Sequence, residues 1–179
     1  MRITGGTARG RIIAGPQGLE ARPTASKIRQ AFFNILSQKV LGASFLDLCA
    51  GSGLMGIEAL SRGADALVAV EERSRLTKTI ESNLKRLGYE AEVICGDVRK
   101  VLPILAPAQF DIIFADPPYQ SGLAASILNG VHRFELLAQN GLLAIEHARS
   151  MKPTSHVGDL ALYDCREYGQ NAVSFFCRR

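Results

Sequence analysis

The sequence lacks the features that mark several functional classes. No apolar run approaches the ~18 residues that span a bilayer, and the start, Met1-Arg2-Ile3-Thr4-Gly5-Gly6, has no apolar signal core. Both absences lead us to expect a cytoplasmic protein with no membrane partner. Histidine is scarce, with three in 179 residues, and the four cysteines (Cys49, Cys95, Cys165, Cys177) form no Cys-x-x-Cys pair. That spacing suits neither a zinc site nor a disulfide framework, so four reduced, mostly buried thiols and no metal are expected. No internal repeat or low-complexity stretch occurs. A composition of 47% hydrophobic and 21% charged residues excludes disordered and fibrous classes. The length is one domain's worth, and a chain of this size buries roughly 70% of its unfolded surface.

Net charge is also small, at +4, but it is unevenly placed. Residues 1–39 hold seven basic side chains (Arg2, Arg9, Arg11, Arg22, Lys27, Arg29, Lys39) against Glu20 alone, while the remainder holds 14 basic and 16 acidic ones. A near-neutral body with a basic N-terminal arm fits a polyanionic partner at one end, or a solvated basic face. Within the arm, Arg2–Thr4 and Arg11–Ala14 read as short β runs, Gly15-Pro16-Gln17-Gly18 as a turn, and Thr24 as the N-cap of a helix.

From Ser44 onward, strands alternate with helices. Phe45–Cys49, Ala66–Val70, Ala91–Ile94, Phe110–Ala115 and Leu142–Glu146 read as strands, with helices near 54–62, 73–87, 97–105 and 122–138. This alternation predicts an α/β fold, a doubly wound and mostly parallel sheet. Leu160–Arg166 and Ala172–Cys177 have no helix between them and predict an antiparallel hairpin closing the sheet edge. The expected division is an arm and helix at 1–43 and a core at 44–179.

The turn after the first strand reads Asp47-Leu48-Cys49-Ala50-Gly51-Ser52-Gly53-Leu54-Met55-Gly56. Its glycines let a ligand approach the backbone, and Glu71 lies 20 residues beyond Gly51, where a ribose-binding acid belongs. The glycines alone fit either a nicotinamide cofactor or S-adenosylmethionine. Asp47 favours the second, since a carboxylate there would crowd a pyrophosphate but suits an ammonium group. Asp97, after the third strand, could reach an adenine amino group, cap the following helix, or do both. The candidate cofactor set is Asp47, Cys49, Ala50, Gly51, Ser52, Gly53, Glu71, Asp97 and Val98.

The fourth strand runs into Asp116-Pro117-Pro118-Tyr119, the most specific signal in the chain. Two prolines make a rigid turn with fewer N–H donors. An aromatic amine is a poor nucleophile because its lone pair is delocalised into the ring. The Asp116 carboxylate and Pro117 carbonyl could accept its two N–H bonds and free that pair, with Asp116, at an ordinary pKa, taking the proton. Tyr119 offers a face on which the base can stack, beside Pro118. In isolation the same four residues would be a strand-ending turn. After a sheet that opens with Asp-x-x-x-Gly-x-Gly, they read as catalytic.

These residues resemble the class I methyltransferases, in the amino-methylating branch whose fourth-strand motif is Asp/Asn-Pro-Pro-Tyr/Phe. Arg2-Ile3-x-Gly5-Gly6-x-x-Arg9-Gly10-Arg11, Arg22-Pro23-Thr24 and Arg29-x-Ala31-x-Phe33-Asn34-x-Leu36 narrow the likeness. With them the chain is similar, essentially end to end, to the bacterial 16S ribosomal-RNA guanine-N2 methyltransferases of the RsmD type. The resemblance implies a Rossmann-like sheet of seven strands with the last antiparallel, S-adenosylmethionine as cofactor, and a guanine 2-amino group of the small ribosomal subunit as target. It also implies cofactor contacts at Asp47, Gly51, Gly53, Glu71 and Asp97, with Asp116 to Tyr119 as the catalytic loop. Two acids, Glu71 and Glu72, stand where the ribose binds, and Glu71 is preferred. RNA contacts are expected from Arg9, Arg11 and Arg22, and from Lys27 and Arg29 unless these only form the outer face of the first helix. A monomer is expected, since nothing in the sequence demands a dimer. The alternatives are a DNA adenine or cytosine amino-methyltransferase, which the short arm disfavours, a nicotinamide oxidoreductase, which leaves Asp-Pro-Pro-Tyr without a role, and a catalytically idle RNA-binding scaffold.

Overall fold

The structure, a computed structural model, describes residues 1–15, 23–119, 122–151 and 154–179. The expected turn at 16–18 and Arg22 lie outside the described residues. Strands β1 (Ser44–Leu48), β2 (Ala66–Glu71), β3 (Glu92–Cys95), β4 (Phe110–Ala115) and β5 (Leu137–Ala148) run parallel, in the order β3-β2-β1-β4-β5. Their near-continuous apolar runs are what a sheet covered on both faces requires. Alternate residues feed two separate cores. Phe45, Leu67, Ile112 and Phe114 face α1 (Pro23–Leu36), α2 (Leu54–Ser61) and α3 (Ser74–Leu87). Leu46, Val68, Ile113 and Ala115 face α4 (Val98–Val101) and α5 (Leu123–Arg133).

Strand count and two helix ends differ from expectation. The sheet has eight strands, not seven, because β6 (His156–Val157) adds a two-residue edge beyond β7 (Leu160–Tyr168) and β8 (Asn171–Arg178). The expected antiparallel hairpin is present beyond β5, with β8 on its inner side, between β5 and β7. The physical reason is burial. Ala172 through Phe176 are all buried and serve both cores, whereas β7 is half exposed, so the more apolar strand takes the interior place. Finally, the helix expected at 122–138 ends at Arg133. Glu135 adopts a left-handed φ of 52°, and the chain enters β5 at the fully buried Leu137. The predicted helix at 97–105 is α only to Val101 before tightening into a 3-10 turn at Leu102–Ile104, where Pro103 supplies no N–H.

The basic arm is folded onto the sheet. Arg2 and Ile12 form one antiparallel bridge, supported by Ile3 N–H donating to Arg11 O at 3.0 Å and Ile13 N–H to Met1 O at 2.8 Å. α1 begins at Pro23, one residue before Thr24. Ile3, Ile13, Phe32 and Phe33 are at most 2% exposed and share one core with Phe45, Phe114 and Phe175. Phe32 packs edge-on to Phe114 with ring centroids 5.0 Å apart.

A buried ion cluster completes this joint. Glu58 of α2 is fully buried, and its Oε2 accepts from Arg29 Nε at 2.8 Å and from Thr4 N–H at 3.2 Å. Its Oε1 accepts from Arg62 Nη2 at 2.7 Å. Removing one partner strands the other charges in a dry environment. Glu58→Ala is therefore expected to cost about 3–5 kcal/mol, read as a lowered urea midpoint. The pair Arg29→Met with Glu58→Leu should recover most of that loss.

Candidate active site

Because β1 to β5 are parallel, their carboxyl ends share one edge of the sheet. The strand order reverses between β1 and β4, which opens a crevice there. A cavity of about 320 Å³ runs along this edge past Cys49, Glu71, Asp97, Val98 and Asp116. A second, of about 180 Å³, lies beside Asp47, Ala50, Gly51, Ser52, Asp116 and Glu146. Every candidate cofactor residue but Gly53 lines one of the two, and Asp116 lines both.

The turn from β1 into α2 is built from left-handed residues: Cys49 has φ 63°, Gly51 56° and Gly53 73°. Gly53 is buried, and a Cβ there would meet Ile80 at 2.9 Å, so its glycine serves packing. A Cβ on Gly51 would meet nothing within 4 Å, leaving space for a ligand. Cys49 holds its conformation without being glycine, a strain of the kind found at functional sites. Burial and the surrounding carboxylates push its thiol up to about 12, so it remains protonated.

The acids differ sharply. Asp47 is buried, and its Oδ2 accepts from Gly56 N–H at 2.9 Å. Burial pushes its carboxyl up to about 7, against the Gly56 hydrogen bond and aided by Glu71. Glu71, also buried, accepts from Gly51 N–H at 2.8 Å and from Arg73 N–H at 3.0 Å, whereas Glu72 is exposed. Asp97 caps α4 through Arg99 N–H at 2.9 Å and pairs with Arg99 Nη2 at 2.6 Å. That guanidinium holds its carboxyl down at about 2. Asp116 follows β4 with one side open to solvent. The protein packed around it, together with Glu146 and Asp47, raises its carboxyl above the usual range, so the ordinary pKa expected from sequence does not hold.

Pro117 is buried and Pro118 exposed, and Tyr119 OH donates to Glu146 Oε1 at 3.1 Å. Asn171 Nδ2 donates to the same oxygen at 2.8 Å. An apolar cavity of about 150 Å³ adjoins the loop, walled by Pro117, Pro118, Tyr119 and Leu128, with Glu146 at its edge. Sequence reasoning gave Glu146 and Asn171 no functional part. The available signal was one acid inside the apolar run Leu142–Ile145 and beyond, since an unpaired carboxylate is seldom buried.

Of the basic residues, Arg9, Arg11 and Lys27 are exposed, and Arg11 donates to Arg86 O at 3.0 Å. Arg29, a candidate RNA contact, is 6% exposed and committed to Glu58 and to Arg2 O; what it shows lines the Asp47 cavity, not the outer surface where an RNA backbone would lie. Arg9 instead shares a polar groove with Arg62, Gln30 and Asn34. Among the described residues no helix is long and apolar enough to cross a membrane, and no group of three or more His, Cys, Asp or Glu is placed to hold a metal ion.

A parallel sheet ordered β3-β2-β1-β4-β5, a single antiparallel strand beside β5, and acids along its carboxyl edge define a methyltransferase of the doubly wound, Rossmann-like type. Within that class the chain belongs to the family described as Conserved hypothetical protein 95, which it matches over residues 1–177. It is 33% identical, over all of both chains, to YlbH of Bacillus subtilis (strain 168), provisionally named an rRNA methyltransferase. It is 35% identical to the ribosomal RNA small subunit methyltransferase D of Escherichia coli (strain K12), over 82% of this chain and 71% of that one. The solved structure of yhhF from Escherichia coli, provisionally titled a methyltransferase, superposes with a TM-score of 0.90 at 32% identity, covering 100% of this chain and 98% of that one.

An acid whose pKa is higher folded than unfolded stabilises the fold below its unfolded value, here 3.8, and loses that contribution as pH rises through about 7. The ligand-free protein is thus expected to weaken between pH 4 and 7. Asp47→Asn should flatten part of that slope when urea midpoints are measured across the range.

Proposed function

We propose that this chain transfers a methyl group from S-adenosylmethionine to the exocyclic 2-amino group of a guanine in 16S ribosomal RNA of the small subunit. The observation that carries the reading is the meeting of two motifs at one cavity: Asp116 of the Asp-Pro-Pro-Tyr loop borders the same space as Asp47 and the Gly51 turn. The cofactor fits the residues present. Asp47, Asp116 and Glu146 surround that space, and the nearby Arg29 is neutralised by Glu58, so the cavity favours a cationic guest. The same acids disfavour a pyrophosphate and with it a nicotinamide cofactor.

When bound, S-adenosylmethionine supplies an electrophilic methyl group. Asp47 would hold its ammonium and Glu71 its ribose hydroxyls, with the exposed Arg73 giving way at the Glu71 carboxylate. Asp97, with Val98 beneath it, would meet the adenine end. The Asp116 carboxylate and Pro117 carbonyl accept the two N–H bonds of the target amine and draw its lone pair out of the ring. A raised pKa makes Asp116 a better resting place for the released proton near neutral pH. Tyr119, tethered by Glu146, gives the base a fixed face. Most of the acceleration comes from positioning.

Residues 1–43 are the proposed docking unit, with Arg9, Arg11 and Lys27 on phosphates, and Arg22 assigned with them. Arg29 contributes by holding the arm in place. Phosphate contacts orient without reading sequence, so specificity rests on the shape of a folded RNA or particle. The proposed setting is the cytoplasm and the proposed working form a monomer.

The test is methyl transfer from isotope-labelled S-adenosylmethionine to unmodified small subunits, read by nucleoside mass spectrometry. Wild type should yield labelled 2-methylguanosine. Asp116→Ala should lose at least about 10³-fold in turnover with cofactor affinity unchanged, and an equal loss of affinity would break the assignment. Replacing Arg9 and Arg11 together should shallow the slope of log affinity against log salt by about 1.5 to 2, measured by RNA binding from 50 to 200 mM salt.

A further inference from the structure

Three acids surround the cavity at the head of the glycine turn, and the proposed reaction uses Asp47 and Asp116. Glu146 serves in it only as the tether of Tyr119 and as one of the surrounding charges. This residue lies on β5, 7% exposed, and borders two spaces at once. One is shared with Asp47 and Asp116, and the other is the apolar cavity walled by Pro117, Pro118 and Tyr119. A base resting on Tyr119 with its amine at Asp116 would bring its ring edge to this junction.

Both described hydrogen bonds to Glu146, from Tyr119 OH and Asn171 Nδ2, fall on Oε1. Among the described residues none falls on Oε2. Burial raises the Glu146 carboxyl above its usual value, and the two donors on Oε1 oppose that by favouring the ionised form. Oε2 is the oxygen left to accept from a guest in the cavities that Glu146 lines.

The bases that carry an exocyclic amine differ in the ring atom beside it. In guanine the 2-amino group adjoins N1–H, a donor. In adenine and cytosine the amine adjoins a bare ring nitrogen, an acceptor. The groups assembled here, the Asp116 carboxylate, the Pro117 carbonyl and Glu146, are acceptors. They match a donor–donor edge and repel a lone pair. Resting on the function proposed above, we propose that Glu146 selects guanine by accepting its ring N1–H at Oε2 while Asp116 accepts from the adjoining amine.

2-Aminopurine separates the two contacts, because it keeps the 2-amino group and lacks N1–H. The experiment uses small subunits assembled on RNA ligated to carry either guanosine or 2-aminopurine at the nucleotide that mass spectrometry identifies as the target. Wild type should methylate guanosine at least about tenfold faster in kcat/KM. Glu146→Gln keeps an acceptor for Tyr119 and Asn171 and gains an amide donor for the bare N1, so the preference should shrink or reverse. Tyr119→Phe breaks the tyrosine tether alone and should keep the preference. Equal use of both substrates by wild type would overturn the proposal without needing any variant to fold. So would an unchanged ratio in Glu146→Gln, or the same collapse in Tyr119→Phe, which would reduce Glu146 to a holder of Tyr119. If wild type methylates neither substrate while binding cofactor, the guanine-N2 reading itself fails, which is a separate outcome.

Discussion

Parallel pairing is the constraint on which the site depends. Strands that run the same way must end at the same edge, and in this chain each of β1 to β5 ends in or beside an acid: Asp47, Glu71, Asp97, Asp116 and Glu146. The fold therefore gathers negative charge where the strand order reverses. Two of the five acids have cationic partners, Glu71 with Arg73 and Asp97 with Arg99. The other three sit close enough that Glu146 and Asp47 both add to the rise that the protein packed around one side of Asp116 causes. An edge held in this state is unfavourable when empty and is relieved by a cation, and in the proposed chemistry the cation is the methyl donor.

The Glu58 cluster shapes this edge from a distance. It joins Thr4 of the arm, Arg29 of α1 and Arg62 at the end of α2 through one buried carboxylate. The apolar packing of Ile3, Phe32 and Phe33 would hold the arm near the sheet but would fix its register loosely. The ion cluster sets the register, because only one arrangement satisfies every donor. Its consequence reaches the crevice. Met1, Ile28 and Arg29 form a wall of the Asp47 cavity, so the arm completes the proposed cofactor end rather than hanging away from it.

Much of this was legible from sequence. Strand and helix alternation carried the doubly wound fold, since each β run is mostly apolar and the stretches between them have helical spacing. The placing of the glycine turn and of Asp116 to Tyr119 at the strand ends was legible because a strand followed by Gly-x-Gly or by Pro-Pro fixes backbone geometry locally, and Glu71 was placed by its spacing from Gly51. What sequence concealed depends on long-range partners. Arg29 read as a surface cation because Glu58, 29 residues away, could not be seen to bury it. Glu146 read as a strand end because its donors, Tyr119 and Asn171, lie 27 and 25 residues off. The place of β8 between β5 and β7 was hidden for the same reason, since local pairing gives a hairpin without saying which of its strands faces inward. The ordinary pKa assigned to Asp116 failed because the protein packed around it, and next its neighbours Glu146 and Asp47, come from distant parts of the chain.

Charge also divides the labour between docking and chemistry. Arg9 and Arg62 share the groove on the arm side, and Arg11 is joined to the end of α3 at Arg86. The crevice at the sheet edge is acidic. In the proposed function, an RNA backbone is drawn to the first surface and repelled by the second, so phosphates stay outside while a neutral base can enter. The acids thus act twice, by favouring a cationic donor and by refusing the backbone. Within the crevice an uncharged base must then be distinguished by its edge alone, a task that falls to hydrogen-bond acceptors already in place. Reversing the polarity of the crevice would weaken cofactor binding and invite phosphate at the same time, which ties cofactor choice and substrate orientation to one set of strand-end carboxylates.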